Sequence, residues 1–353
     1  MMTVTCKALS SGVRIVVLMG LAVGGAVWPA ALGQAAPLSG AVETVRPSLK
    51  VAAIQARLRF FPTEAEFASY VMARMEEAMR YRPDLVVFPE DVGLPLVSLG
   101  ECRVLCAESR TVQEAIRKLV AIHAEELLAK MQGVKGRLVR GLWLLKAGRI
   151  RRAYQMAFQT AARKYRAYIV AGSVPMTFPE APGEVFNTCC LFSPDGRMHV
   201  MGKKAHPIDL EGPEGLDFSA GAVESYRTFD LPWARIGCIV CADAWDPLVA
   251  RRLVENGAQV LVQVSANPSV WTVAEQERWA EGLFARVQEL GVYGVTCMAV
   301  GKLLDVPFEG RTQVVCPKAW TKDATGVLAD VPVLRSEAIV VARLDLRRVV
   351  GGR

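Results

Sequence analysis

Histidine is scarce in this 353-residue chain: His123, His199 and His206 are the only three. No two of them stand at metal-ligand spacing, so a zinc site is not expected. Nine cysteines are too sparse for a disulfide scaffold in a chain this long. The 29 Gly and 19 Pro follow no triplet period, and no longer repeat is visible. Excess charge is also modest: 42 Lys and Arg against 35 Asp and Glu give +7. The basic residues are scattered (Arg82, Arg103, Lys118, Arg197, Arg251, Arg347) rather than interleaved with aromatics. A nucleic-acid groove needs a basic stripe, so no nucleic-acid partner is expected. What the chain does have is apolar content, 52% against 22% charged. That excludes a disordered chain, which could not offset its ordering entropy by burial. The length allows one large domain or two medium ones.

Acidic residues are missing from the N-terminus. Residues 1–14 carry Lys7 and Arg14 and no acid, and an uncharged stretch runs from Ile15 to Val42. A positive start, the apolar run Ile15–Leu32 and small residues afterwards (Ala30, Ala31, Gly33, Ala35, Ala36) describe a secretory signal peptide. The run also nearly reaches the roughly 20 residues a bilayer span needs, so a signal anchor competes. Pro29 and the small residues favour cleavage. The expected layout is a signal peptide or anchor over 1–36, a linker over 37–48, a main domain over 49–347 and a tail over 348–353. The main domain is then extracytoplasmic, either exported or tethered to a membrane through residues 15–32.

The body alternates strand and helix patterns. Apolar runs of strand length occur at Lys50–Ala56, Asp84–Phe88, Tyr168–Gly172, Thr188–Phe192, Ile236–Val240, Val260–Val264 and Val295–Val300. Helical stripes fall at Glu64–Arg80, Thr111–Gln132, Ile150–Tyr165, Pro247–Asn256 and Ala274–Leu290. Continuous apolar strands between helices predict an α/β layered fold with helices covering the sheets. The turn signature Ser193–Gly196 lies between two strands, so the sheet is not purely parallel. Residues 94–149 hold a stretch rich in helix formers and basic residues (Arg137, Arg140, Lys146 and Arg149, with Arg151 and Arg152 just beyond). They read as a solvated helical cover. A lid or membrane-surface patch is the functional alternative.

Three reactive side chains fall at strand ends, where α/β proteins gather their sites. Glu90 follows DLVVFP, Lys204 follows RMHVMGK, and Cys241 follows RIGCIV. Taken singly, each has a bland reading: a solvated carboxylate, a surface ammonium, a small buried hydrophobe. Their joint presence carries the argument.

The chain resembles the carbon–nitrogen hydrolases of the nitrilase superfamily. KVAAIQA (Lys50–Ala56) is similar to that family's first strand, and LVVFPE (Leu85–Glu90) to its glutamate motif. KKAHPIDLE (Lys203–Glu211) is similar to its lysine motif, and IVCADAWDP (Ile239–Pro247) followed by NGAQVLVQVSANP (Asn256–Pro268) to its cysteine motif. Weaker echoes are FNTCCLFSPDG, ARVQELGVYGV and GRTQVV. Their order matches the family across nearly all of residues 49–347. The resemblance implies an αββα sandwich, usually paired as a homo-oligomer, with no metal and no cofactor. It also implies a catalytic Glu90–Lys204–Cys241 triad. Glu211, with Glu214 as a neighbouring competitor, matches a second glutamate that positions the lysine and substrate.

The chemistry suits those residue types. An ordinary thiol has a pKa of about 8.5 and is mostly protonated at neutral pH. Glu90 is expected to take its proton, and Lys204 with the Ala242 backbone N–H to hold the charge on the attacked group. His206 is expected to line the site as a hydrogen-bonded wall. The sequence departs from the common family pattern at Ala242, Pro207 and Leu248, around the expected pocket. The C-A-D arrangement, with Asp243 two residues after Cys241, resembles the family's amidase branches more than its nitrile-specific ones, which implies an amide rather than a nitrile as the small-molecule substrate. Competing readings are an N-acyltransferase of the same superfamily, a non-catalytic binding protein on the same fold, and a redox dithiol at Cys238–Cys241. Cys238–Cys241 closes an apolar strand instead of opening a helix, which argues against redox chemistry.

Overall fold

Residues 48–55 show in miniature how the sequence specifies the architecture. Leu49, Val51 and Ala53 enter one apolar core, while Ala52 and Ile54 enter another. Side chains alternate across a strand, so a strand apolar on both faces must be covered on both. The computed structural model describes residues 48–130, 137–331 and 333–349. The expected export segment 1–36 and nearly all of the linker lie outside the described residues. The strands are β1 Ser48–Gln55, β2 Arg57–Leu58, β3 Leu85–Phe88, β4 Tyr168–Phe178, β5 Ala181–Phe192, β6 Met198–Lys203, β7 Thr228–Asp230, β8 Arg235–Val240, β9 Val260–Ser265, β10 Tyr293–Met298, β11 Val300–Leu303, β12 Val306–Phe308, β13 Gln313–Val315, β14 Val327–Asp330 and β15 Ala338–Asp345. The helices are α1 Glu64–Met79, α2 Cys102–Glu108, α3 Val112–Ile122, α4 Ala124–Lys130, α5 Leu138–Tyr165, α6 Pro247–Glu255, α7 Val273–Trp279 and α8 Ala285–Leu290.

Two six-stranded sheets run in the orders β15-β1-β3-β4-β5-β6 and β14-β13-β10-β9-β8-β7. In each, three central strands are parallel: β1, β3 and β4 in the first, β8, β9 and β10 in the second. Antiparallel strands flank them, including the β5–β6 hairpin that the Ser193–Gly196 turn predicts. The sheets pack face to face through Leu49, Val51, Leu85, Val87 and Val170 against Ile236, Cys238, Val260 and Val262. Phe67, Val71 and Met75 of α1 and Tyr154 and Phe158 of α5 cover the first sheet. Val249 and Leu253 of α6 and Val287 of α8 cover the second. The layers are therefore α, β, β, α, as expected. Among the described residues no helix is long and apolar enough to cross a membrane.

Three expectations need correction. The helix expected over Thr111–Gln132 is two, α3 and α4, broken at His123, whose ring lies 3.2 Å from Glu101. That partner is 22 residues away, so local periodicity carries no trace of it. The Ala274–Leu290 helix is interrupted by a π-turn over Ala280–Phe284, with Gly282 in a non-helical conformation. Finally, α5 starts at Leu138 rather than Ile150, and the preceding segment is not a merely solvated cover. Leu105, Ala115, Leu119, Leu142 and Trp143 are buried. Lys146 is only 6% exposed and pairs with Glu101. Arg140 pairs with Asp217 at 3.0 Å and Arg149 with Glu64 at 2.7 Å. The basic residues masked the apolar stripe because their partners lie elsewhere in the chain.

Candidate active site

Glu90 reaches the interior because the chain leaves β3 over a glycine. Gly172 of β4 has φ +64°, and a Cβ there would stand 1.8 Å from the Pro89 carbonyl oxygen. Only glycine tolerates both the left-handed backbone and the approach. Glu90 is 1% exposed. Its Oε2 accepts the Ala266 N–H at 2.8 Å, and its Oε1 accepts from Asn187 Nδ2 at 3.0 Å and Lys204 Nζ at 2.8 Å.

Lys204 follows β6. Its backbone N–H donates to the Asn187 carbonyl at 2.9 Å, and its carbonyl accepts from Gly221 at 2.7 Å. Between those anchors the buried ammonium bridges two carboxylates, Glu90 at 2.8 Å and Glu211 Oε2 at 2.5 Å. Glu211, not Glu214, is therefore the second carboxylate; Glu214 is exposed. The same Oε2 accepts the Ile208 N–H at 3.0 Å, and Asn187 Nδ2 donates to Oε1 at 2.8 Å.

Cys241 directly follows β8 at φ +44° and opens a short 3-10 turn over Cys241–Trp245. A non-glycine residue in that region stores strain and persists only when its surroundings hold it. Here Gln263 Nε2 grips the Cys241 carbonyl at 3.1 Å. Asp243, two residues on, accepts the N–H groups of Ala205 at 2.8 Å and His206 at 2.7 Å, and the Tyr226 hydroxyl. The cysteine turn and the lysine loop are thus tied through one buried carboxylate. Cys241 and Ala242 line a cavity of about 740 Å³ whose walls include Ile208, Leu210, Trp245, Asn267 and Trp279. Cys238 lies in the core between the sheets.

His206 is half-exposed. Its Nδ1 lies 2.8 Å from Asp243 Oδ1 and its Nε2 3.5 Å from Asp246. It braces the lysine loop from outside and does not line the cavity. Among the described residues no cluster of three or more His, Cys, Asp or Glu could hold a metal ion.

The electrostatics favour a protonated thiol at rest. Burial pushes the Cys241 pKa well above the ordinary range, Glu90 adds to this, and Lys204 opposes it. Burial also raises Glu90, against Lys204 and together with Glu211. For Lys204 burial works against the charge, but Glu90 and then Glu211 outweigh it, so its pKa stands well above normal. Removing charge from water must be compensated locally, and two carboxylates around one ammonium do so here. The cluster sets a fixed cation and a carboxyl with raised proton affinity near a sulfur that lines the cavity.

Sequence reasoning missed Asn187, Tyr226, Gln263 and the Ala266 N–H. Two left signals: Asn187 precedes the strand run TCCLF, and Gln263 is the only polar side chain within VLVQV. A polar residue inside an apolar strand needs a buried partner. Tyr226 left none.

The family described as carbon–nitrogen hydrolase matches residues 50–349. The omega-amidases NIT2 of Mus musculus and Homo sapiens are each 29% identical over 126 residues. Those matches cover 33% of this chain and 45% of the relatives, so the chain spans under half the length of the curated relatives it matches. A carbon–nitrogen hydrolase from Helicobacter pylori superposes with a TM-score of 0.61 at 18% identity, covering 86% of this chain and 90% of that one. Nit3 of Saccharomyces cerevisiae gives 0.58 at 20% identity, covering 86% and 92%. A mutant amidase from Nesterenkonia sp. AN1, in complex with acrylamide, gives 0.59 at 18% identity, covering 87% and 96%. Those structures share the fold. With the family match running through every strand and every member of the buried cluster, the chain belongs to the carbon–nitrogen hydrolase family.

Proposed function

We propose that the protein hydrolyses non-peptide C–N bonds of small amides through a thioester on Cys241. Glu90 takes the thiol proton as the sulfur attacks the amide carbon. The charge on the amide oxygen is held by Lys204 and the Ala242 N–H; one such donor is typically worth about 3 kcal/mol. Glu90 returns the proton to the departing nitrogen as the C–N bond breaks. Water, deprotonated by Glu90, then cleaves the thioester and restores the thiol. The observation that carries this reading is the Lys204 ammonium held between Glu90 and Glu211 beside a strained Cys241 that lines the cavity. The amidase relatives favour amides over nitriles. A panel of amides, carbamoyl compounds and nitriles, scored by ammonia release, tests it. Cys241→Ala should abolish turnover while keeping the thermal transition. Glu90→Gln should abolish turnover in molecules that still fold, with a lowered transition because its amide nitrogen must face the Ala266 N–H or the Asn187 and Lys204 donors. Near-normal hydrolysis by either variant rejects the roles.

We also propose export or membrane tethering through residues 15–32, supported by the charge pattern of the N-terminus. Fractionation with N-terminal sequencing tests it, and an intact N-terminus in a soluble cytoplasmic protein rejects it. Homo-oligomerisation is proposed from the apolar outer surface, where Leu248 is 59% and Val273 76% exposed. Light scattering at a monomer mass rejects that.

A further inference from the structure

The cavity in front of Cys241 is acidic although the chain is basic. Its walls carry Asp209, Glu275 and Glu281 against a single cation, Arg278. The whole chain carries +7, so this balance is local. Arg278 is committed to Glu275 at 2.6 Å. Asp209 and Glu281 make no ion pair among the described residues, and both are exposed. Within the mouth this leaves two uncompensated carboxylates.

Tryptophan supplies the second half of the arrangement. Trp245 and Trp279 both line the cavity and meet edge to face, with centroids 5.0 Å apart. Gly282 packs closely against this pair: a Cβ there would stand 3.2 Å from the Trp245 ring. Both indole N–H groups are already used. Trp245 Nε1 donates to the Arg278 carbonyl at 3.2 Å, and Trp279 Nε1 to Glu275 Oε2 at 3.2 Å. With the N–H groups used, what the rings offer a ligand is the π surface that lines the cavity, the rest being covered by Trp271 at 5.8 Å from Trp279 and by Gly282. An electron-rich ring face and a free carboxylate attract the same kind of group, a cation.

We infer that the substrate is an amide whose far end carries a positive charge, an alkylammonium or guanidinium group, held at the mouth by Asp209, Glu281 and the Trp245–Trp279 pair. This rests on the amidase reading and adds the substrate class. A carboxylate-ended amide meets like charge at the same place. The tail is recognised outside the reacting cluster, so its charge selects the substrate without altering the chemistry at Cys241.

Two measurements keep the two proposals separable. Tryptophan fluorescence is titrated with butylammonium and with butyrate, which need no turnover. Butylammonium should bind at least about tenfold more tightly, as expected for a cation on a ring face with carboxylate support. The preference should collapse in Asp209→Asn/Glu281→Gln. Equal binding, preferred butyrate, or a preference unchanged in that variant overturns the inference. Separately, ammonia release is followed for matched short amides ending in ammonium, methyl or carboxylate. The ammonium form should show the highest kcat/KM, and the double variant should lose that advantage while retaining hydrolysis of the methyl form. Turnover led by the methyl or carboxylate form overturns the inference and leaves the amidase reading standing. Selective butylammonium binding with no turnover of any amide rejects the amidase reading and leaves the cation site standing.

Discussion

Asp243 binds the backbone of His206 at 2.7 Å, so the residue two places after the cysteine fixes the loop that carries the lysine. The same carboxylate takes the Ala205 N–H and the Tyr226 hydroxyl, and it is wholly buried. Tyr226 in turn accepts the Val240 N–H at 3.2 Å, next to Cys241. This connection through Asp243, Ala205, His206, Tyr226 and Val240 ties the lysine loop to the cysteine turn as a property of the fold.

Asp243→Asn should therefore damage both stability and activity. The amide nitrogen must face a donor where the carboxylate accepted, leaving at least one buried N–H unsatisfied. About 2–3 kcal/mol of stability should be lost. Turnover should fall by at least tenfold, with kcat affected more than KM, because the loop and not the cavity wall is displaced. Denaturant unfolding and steady-state kinetics check this. An unchanged kcat would show that Asp243 does not position the lysine loop.

Lys204→Met tests the charge balance. Without the ammonium, Glu90 and Glu211 face each other in the interior. Removing one partner from a buried ion cluster typically costs about 3–5 kcal/mol. The deficit should shrink on acidification, because protonating either carboxyl removes the repulsion. Urea unfolding at about pH 7 and about pH 5 separates the cases. An equal deficit at both values points to lost packing instead.

The pH profile follows from the directions of the shifts. Glu90 must be ionised to accept a proton, and burial raises its pKa, with Lys204 offsetting and Glu211 adding. The acid limb of kcat/KM should lie above the ordinary glutamate value of about 4.3. A carboxyl whose pKa rises on folding contributes stability below its unfolded value and loses it as pH rises through the folded one. Glu90 therefore becomes a stability cost in the range where activity appears. Cys241 and Lys204 are also raised, so no descending limb is expected near about pH 8.5, where an ordinary thiol titrates. A bell closing there contradicts the assignment.

Gly172→Ala probes the support beneath Glu90. The new methyl has no room against the Pro89 carbonyl at 1.8 Å, and φ +64° opposes any side chain. The loss should be about 2–4 kcal/mol. Thermal unfolding measures it, with the residual activity per folded molecule. A neutral substitution would mean that β3 and β4 can separate freely.

Strand positions and the Glu90 and Cys241 locations were legible because buried parallel strands are short, apolar and closed by polar residues. Lys204, at the end of antiparallel β6, was legible through the resemblance of KKAHPIDLE to a lysine motif. Glu211 was legible too, only seven residues from Lys204. The parts that bind distant segments together were not. Asn187 touches Glu90 across 97 positions and Glu211 across 24. Lys146 reads as a surface charge until Glu101 is seen beside it. His206, expected in the site wall, braces Asp243 instead, which its position in KKAHPIDLE could not distinguish. The acidic mouth was equally hidden: Asp209 comes from the lysine loop, Glu275 and Glu281 from the α7 region. Charge converging from separate segments has no local signature.

The most direct test of the account is intact-mass and peptide mapping of the enzyme quenched during turnover of a short ammonium-ended amide. The account predicts an acyl adduct on the peptide containing Cys241, formed with ammonia release and missing from Cys241→Ala. Ammonia release that persists in Cys241→Ala, with no adduct on that peptide in the wild type, contradicts it.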